Sequence, residues 1–209
     1  MIKGDLILIG AGGHSRSCVD VIEQEGKYRI AGLVGVQDEV GSRIFDYEVL
    51  TTDDGLEELA KQVPYALVSL GQIHSAELRT RLYDRAIEAG FSLPAIIAPT
   101  AYISPRATIG AGTILMHGSI VNSGVVIGAN CIINTRALIE HGSTVADHCH
   151  ISTGAILNGN SSIGSGSFIG SGSIVKEGIE IGSGSLVGMG VTVRYNVIAN
   201  SKYFGKSDS

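Results

Sequence analysis

The sequence has no basic excess, no long hydrophobic run and only three cysteines. Its 15 Lys+Arg stand against 20 Asp+Glu, a net charge of −5. With a pI near 5.6, nothing is available to displace phosphate counterions, so nucleic-acid binding is not expected. The best early apolar run, Leu6 to Ile9, stops at Gly10. It falls far short of the roughly 20 residues that cross a bilayer, and no small-residue cleavage site follows it to make a secretory signal. Cys18, Cys131 and Cys149 form no CxxC pair, which suits a reducing compartment. A soluble cytoplasmic protein is the expectation. Disorder is excluded by what is present, because 44% of the 209 residues are hydrophobic and 29 are Gly. That length allows one large or two small domains.

Two grammars divide the chain near residue 95. In residues 1–95 the strand Leu6–Ile9 meets the tight turn Gly10-Ala11-Gly12-Gly13-His14-Ser15, then a helix over Ser17–Gln24 and a strand over Ile30–Val34. That order is the βαβ unit of an open parallel sheet, a small Rossmann-like α/β domain. Further helices are expected over Asp53–Gln62, capped by Thr52 or Asp53, and over Ser75–Ala89, closed by Gly90. A third strand is expected over Ala66–Leu70.

In residues 96–209 every sixth residue from Ile97 to Val193 is Ile, Leu or Val without a break. A helix would require a period of 3.6. A small residue stands two places before most of these aliphatics, as in Thr113, Ser119, Cys131, Ser143 and Cys149. The physical solution is a triangular prism of stacked coils, three hexapeptides to a coil. Aliphatics fill the interior, and Gly110, Gly170 and Gly188 are expected to supply backbone freedom at corners. Residues 18 apart then stack about 4.8 Å apart. Cys131 and Cys149 therefore stack as small, reduced core residues. Ile139 points inward, so Glu140, His141 and Gly142 form a corner from which His141 projects. Asn158 and Gly159 lie directly above it. Gly159 leaves room over the imidazole, and its N–H can face a carbonyl oxygen. Histidine is suited to accept a proton near neutral pH.

The unbroken hexapeptides, the Gly-Ala-Gly-Gly-His turn and the run Asn134-Thr135-Arg136-Ala137-Leu138-Ile139-Glu140-His141 resemble the hexapeptide-repeat acyltransferases. Within them the chain resembles the sialic-acid O-acetyltransferases (NeuD-like) and UDP-4-amino-sugar N-acetyltransferases (PglD-like). The resemblance implies a left-handed parallel β-helix, against the usual right-handed crossover. It also implies acetyl-CoA as donor, a sugar acceptor, a homotrimer, and a histidine base at the groove between subunits. Carried onto this sequence, the base is His141 with Glu140 as its nearest carboxylate. Asn134 belongs to the matching motif, and His150, nine residues after the base, corresponds to a histidine lining the acceptor site. Asn158, Gly159 and Gly188 are the expected acetyl-CoA residues.

Gly10, Gly12, Gly13, His14 and Gly71 are the expected sugar-nucleotide residues. Gly10-x-Gly12-x-x-Ser15 lacks the third glycine of a dinucleotide fingerprint, and no acid ends the second strand. An anion on the helix N-terminus is better motivated than NAD. In the N-acetyltransferases the residue after the base is commonly acidic; here it is Gly142, which favours the sialic-acid branch as the first expectation and the amino-sugar branch as the alternative. A non-catalytic trimeric scaffold is a further alternative. A zinc-enzyme reading needs an HxxxxH spacing that is missing, so no metal is expected. Lys202 and Lys206 stand as candidates for CoA phosphates.

Overall fold

A computed structural model describes residues 2–205; Lys206 lies outside the described residues. Two compact units result. One contains the residues up to Gly71 together with Leu78–Pro99, and the other contains Gln72–Glu77 with the residues from Thr100 on.

The first unit is a five-stranded sheet of β1 (Gly4–Ile9), β2 (Tyr28–Val34), β3 (Arg43–Ile44), β4 (Tyr47–Thr51) and β5 (Tyr65–Val68) in the order β3-β4-β2-β1-β5. All pairs are parallel except the β3–β4 hairpin. Leu6 to Ile9 are fully buried, as are Leu33, Val34, Ala66, Leu67 and Val68, so the central strands read as continuous apolar runs. Helix α1 (Gly13–Glu25) turns Cys18, Val19, Val21 and Ile22 inward and ends on left-handed Gly26. Burial pushes the Cys18 thiol up to about 12, so it packs as an uncharged side chain.

Local expectations are corrected, among them the third strand, which ends at Val68 rather than Leu70. The run 53–62 is not one helix: a 3₁₀ turn at Asp53–Gly55 precedes the five-residue α2 (Leu56–Ala60), and Thr52 makes no side-chain cap. Helix α3 spans Glu77–Glu88 rather than starting at Ser75, because the Ser75 hydroxyl accepts the Glu77 N–H and so stands before the helix. The β3–β4 hairpin was not anticipated; in β4 only Val49 is buried, which leaves little apolar signal.

Arg79 of α3 is 1% exposed, and its Nη1 donates to the Val68 and Leu70 carbonyls at 2.6 and 2.8 Å where β5 ends. Arg79→Met strips both carbonyls of this donor in a buried setting. A loss of about 2–4 kcal/mol is expected, to be read as a lower denaturant midpoint.

The second unit is a left-handed parallel β-helix. Two-residue strands stack on three faces, pairing at 18-residue steps such as Ile120↔Leu138, Thr144↔Ser162 and His150↔Phe168. The first face carries 102–103, 120–121, 138–139, 156–157, 174–175 and 192–193; the second carries 108–109 to 180–181; the third runs from 114–115 to 202–203. From Leu115 to Val193 every sixth aliphatic is buried, while Ile103 and Ile109 on the opening turn, and Ile97 in the first unit, are half-buried. The last strand, Lys202–Tyr203, pairs with Leu186–Val187 at a step of 16. No helix among the described residues is long and apolar enough to cross a membrane.

The corner chemistry differs from expectation. Gly110, Gly170 and Gly188 are not in the left-handed region; they are glycine because the next coil lies too close for a side chain. A Cβ on Gly170 would sit 2.5 Å from Gly188 C, and one on Gly188 2.7 Å from Phe204 Cδ1. Backbone freedom is needed elsewhere, at the left-handed residue that recurs every six places from Gly112 to Gly190. Four of these positions are not glycine: Asn130, Arg136, His148 and Asn160, with φ between 52 and 60°.

The small inward residues also act as donors. Thr113 Oγ1, Cys131 Sγ, Cys149 Sγ and Ser167 Oγ, spaced by 18, donate to the carbonyls of Gly128, Ala146, Gly164 and Gly182 at 2.8, 3.1, 3.1 and 3.0 Å. The thiols are therefore more than small hydrophobes. The neighbouring Cys131 and burial hold the Cys149 thiol well above its usual range, which keeps its proton available to donate.

Candidate functional site

At the edge between the first and second faces, the turn after Leu138–Ile139 presents Glu140, His141 and Gly142. The His141 side chain is 68% exposed. Its backbone N–H and the Asn122 side-chain amide both point at Glu140 Oε2, at 3.4 and 3.0 Å. The same oxygen lies 3.7 Å from His141 Nδ1, beyond hydrogen-bond reach but near enough to favour the tautomer whose N–H faces it. One coil up, a Cβ on Gly159 would sit 2.6 Å from His141 Cε1 and 3.0 Å from Nε2. The ring therefore stacks directly under a bare backbone. Asn158 beside it turns its amide to the Val175 carbonyl at 2.8 Å. Gly142 is left-handed, with φ 69°, and a Cβ there would run into Asn160 Oδ1 one coil up, so turn and packing together suit glycine.

Above Asn158 a groove of about 430 Å³ is lined by Asn158, Ile174, Lys176, Glu177, Thr192, Arg194 and Tyr195. Lys176 and Arg194 were missed in the sequence. The signal was present, since 140, 158, 176 and 194 form one 18-residue column.

Asn134 and His150 are not at this edge. They lie across the first face, at its border with the third. His150 faces outward, as expected of its strand, but it is only 6% exposed, under segment 72–77. Its Nδ1 lies 2.6 Å from the Gln72 carbonyl, so that nitrogen must carry a proton and donate. Asn134 Oδ1 accepts the Thr135 N–H at 2.7 Å, which orients its amide; Nδ2 then donates to His150 Nε2 at 3.0 Å. The bonding fixes a neutral imidazole with one tautomer. Phe168 meets the ring edge-on at 5.1 Å. An apolar cavity of about 390 Å³ there includes Ile73, His150, Phe168, Gly188, Lys202 and Phe204. Gly188 is thus separated from Asn158 and Gly159 by the first face.

In the first unit, Gly10 and Gly12 line a cavity of about 200 Å³ with Gly35, Glu39, Asp53 and Leu70. Gly13, His14 and Gly71 are not among its lining residues, although Gly71 lies against His14. Helix α1 starts there without a side-chain cap or a first-turn acid, which leaves its N-terminus open to an anion. Ser15 stands for the third glycine, buried with its hydroxyl donating to the Gly12 carbonyl at 2.6 Å. The acid missing from the end of β2 is supplied from further along. Glu39 folds back to accept the Val36 N–H at 3.0 Å, over a Gly35 whose Cβ would sit 2.6 Å from its carboxylate. No group of three or more His, Cys, Asp or Glu among the described residues is placed to hold a metal.

Residues 5–86 match the PglD N-terminal domain, and residues 161–195 match the hexapeptide repeat of succinyl-transferase. No curated protein matches the sequence. Among solved structures, PerB from Caulobacter crescentus in complex with CoA and GDP-perosamine is 30% identical, with 94% of this chain and 92% of that chain covered and a TM-score of 0.88. A variant of perosamine N-acetyltransferase from the same organism, with histidine replaced by asparagine, is 29% identical over 96% and 91%, with a TM-score of 0.88. The acetyltransferase domain of PglB from Neisseria gonorrhoeae, in complex with acetyl coenzyme A, is 30% identical over 95% and 94%, with a TM-score of 0.87.

Proposed function

Because this chain belongs to the hexapeptide-repeat acetyltransferases with a PglD-type N-terminal domain, we propose that it moves an acetyl group from acetyl-CoA to the amine of a nucleotide-linked amino sugar, with His141 as base. The observation that carries the reading is the exposed His141 ring beneath Gly159, next to Asn158, which lines a groove together with Lys176 and Arg194. The groove suits a donor with a thioester at one end and phosphates at the other. Lys176 and Arg194 would take the phosphates, and the Gly159 N–H, which joins no backbone ladder among the described bonds, would face the thioester oxygen.

In the reaction the acceptor nitrogen attacks the thioester carbon and His141 Nε2 takes its proton. The C–S bond then breaks, and the CoA sulfur regains a proton. No covalent enzyme intermediate is required.

N-acetylation is preferred to sialic-acid O-acetylation for two reasons. Gly142 no longer argues for the sialic-acid branch, since the left-handed turn and the Asn160 side chain packed over it account for it, and perosamine N-acetyltransferase is a neighbour over nearly the whole chain. The nucleotide is assigned to the first unit, at the α1 N-terminus and Glu39.

The assembly is assigned as a trimer packed through the first face. Its outward column is Tyr102, Ile120, Leu138, Ile156 and Ile174, with Tyr102 55% and Ile120 40% exposed. The second face presents Thr108, Val126, Thr144, Ser162 and Glu180 instead. His141 borders one side of the apolar face, and Asn134 with His150 borders the other. Packing copies around a threefold axis brings those two edges of neighbouring copies together.

The test is release of CoA thiol from acetyl-CoA with UDP- and GDP-linked 4-amino sugars, beside free and CMP-linked sialic acid. Turnover with an amino sugar is expected. Turnover with sialic acid alone would reverse the acceptor, and no acetyl-CoA binding in calorimetry would overturn the enzyme reading. Gly159→Ala is expected to lower kcat roughly 10- to 100-fold by displacing the ring. Thermal unfolding should stay unchanged, because the exposed ring can swing outward.

A further inference from the structure

We propose that Asn122, one coil below the base, is a positioning residue for His141 that acts through Glu140. The inference rests on the reading of His141 as base. Glu140 Oε2 is held by the Asn122 amide at 3.0 Å and lies 3.4 Å from the His141 N–H. Asn158, the other neighbour in this column, is committed upward to the Val175 carbonyl. Of the two residues stacked on Glu140, Asn122 alone fixes the carboxylate. Without it, only the long 3.4 Å contact from the His141 N–H remains to a half-buried glutamate on an open edge, and the oxygen beside His141 Nδ1 is no longer held in place.

The consequence concerns which ring nitrogen carries the proton. A neutral imidazole has one N–H and one lone pair. With Oε2 at 3.7 Å from Nδ1, the N–H is drawn to Nδ1 and Nε2 is left bare to accept the acceptor's proton. Remove Asn122, and the ring returns toward the mixture of an unrestrained histidine, in which Nε2 more often carries the N–H and cannot accept a proton. The Asn122 side chain is not needed for the coil itself. Its backbone N–H donates to the Ile139 carbonyl at 3.0 Å whatever the side chain, and the φ at 122 is ordinary.

The experiment records ring ¹⁵N shifts of His141 in acetyl-CoA-free protein, assigned by comparison with His141→Ala, for the unaltered chain, Asn122→Ala and Asn122→Ala in a Glu140→Gln background. Expected is a Nδ1-protonated ring in the unaltered chain and a mixed tautomer in Asn122→Ala. Adding Asn122→Ala to Glu140→Gln should have no further effect. Turnover of Asn122→Ala should fall roughly 2- to 10-fold in kcat, in proportion to the fraction of rings left in the productive tautomer, with the KM for acetyl-CoA unchanged. An unchanged tautomer in Asn122→Ala overturns the proposal, and so does a lowered melting temperature with the tautomer intact, since that is a structural role only. Because the tautomer is read without substrate, failure of the acetyltransferase reading leaves a separate trace: a shifted tautomer in a chain that transfers no acetyl group.

Discussion

His141→Ala is expected to lower acetyl transfer about 10³-fold while leaving acetyl-CoA binding and thermal unfolding as they are. The size follows from what is removed. The reaction must take a proton from an amine that turns cationic as it attacks, and His141 is the imidazole at the edge from which the cation-lined groove rises. Water is a poor substitute, since it is neither held in place nor basic enough. The fold should not notice the change: the side chain is 68% exposed and, beyond its nearness to Glu140, makes no side-chain hydrogen bond to the coil among the described residues. Turnover under saturating acetyl-CoA, together with calorimetric binding, separates the two effects. If the variant retained more than about a tenth of the activity, the base would have to be sought elsewhere.

Leu138→Lys is expected to dissociate the assembly and abolish transfer in one step, although His141 is untouched. Leu138 lies mid-column on the apolar first face, between Ile120 and Ile156. An ammonium group buried there without a partner costs about 3–5 kcal/mol per contact surface, enough to weaken association by roughly 10³-fold. Sedimentation should give a monomer with its β-helix intact by circular dichroism. The same charge on the second face, as in Thr144→Lys, should leave both size and turnover alone. A monomeric Leu138→Lys protein that still turned over would show that one chain holds a complete site, and the shared-edge arrangement would fall.

The prism was legible because its constraint is strictly periodic. A six-residue repeat of aliphatics has few structural solutions, and stacking at 18 residues places Gly159 over His141 by arithmetic alone. That arithmetic also contained Lys176 and Arg194, which were passed over because a charge at a corner looks like any solvated charge. The left-handed position every six residues was hidden for another reason. Gly dominates it, but glycines also stand at the close-packed positions 110, 170 and 188, so one residue type reports two different demands. Glu39 escaped notice because its carboxylate reaches the cavity by folding back over Gly35, five residues past Val34. The fate of His150 was not legible either. Strand alternation turned it outward correctly, but nothing local announces that Gln72, distant in sequence, covers it. In the first unit, buried strands gave long apolar runs, whereas β4, with a single buried residue, left no comparable trace.

The coil register makes length and direction separately adjustable along the edge that carries His141. Each coil adds 18 residues and about 4.8 Å, so the column 140, 158, 176, 194 behaves as a ruler graduated in whole coils. Excising residues 160–177 would bring Arg194 and Tyr195 one graduation nearer to His141 without turning any later side chain to another face. Excising six residues would do the reverse, keeping the spacing of coils while rotating everything beyond the cut by a third of a turn. A change of length by a multiple of 18 here therefore keeps one orientation of histidine, glycine and cations.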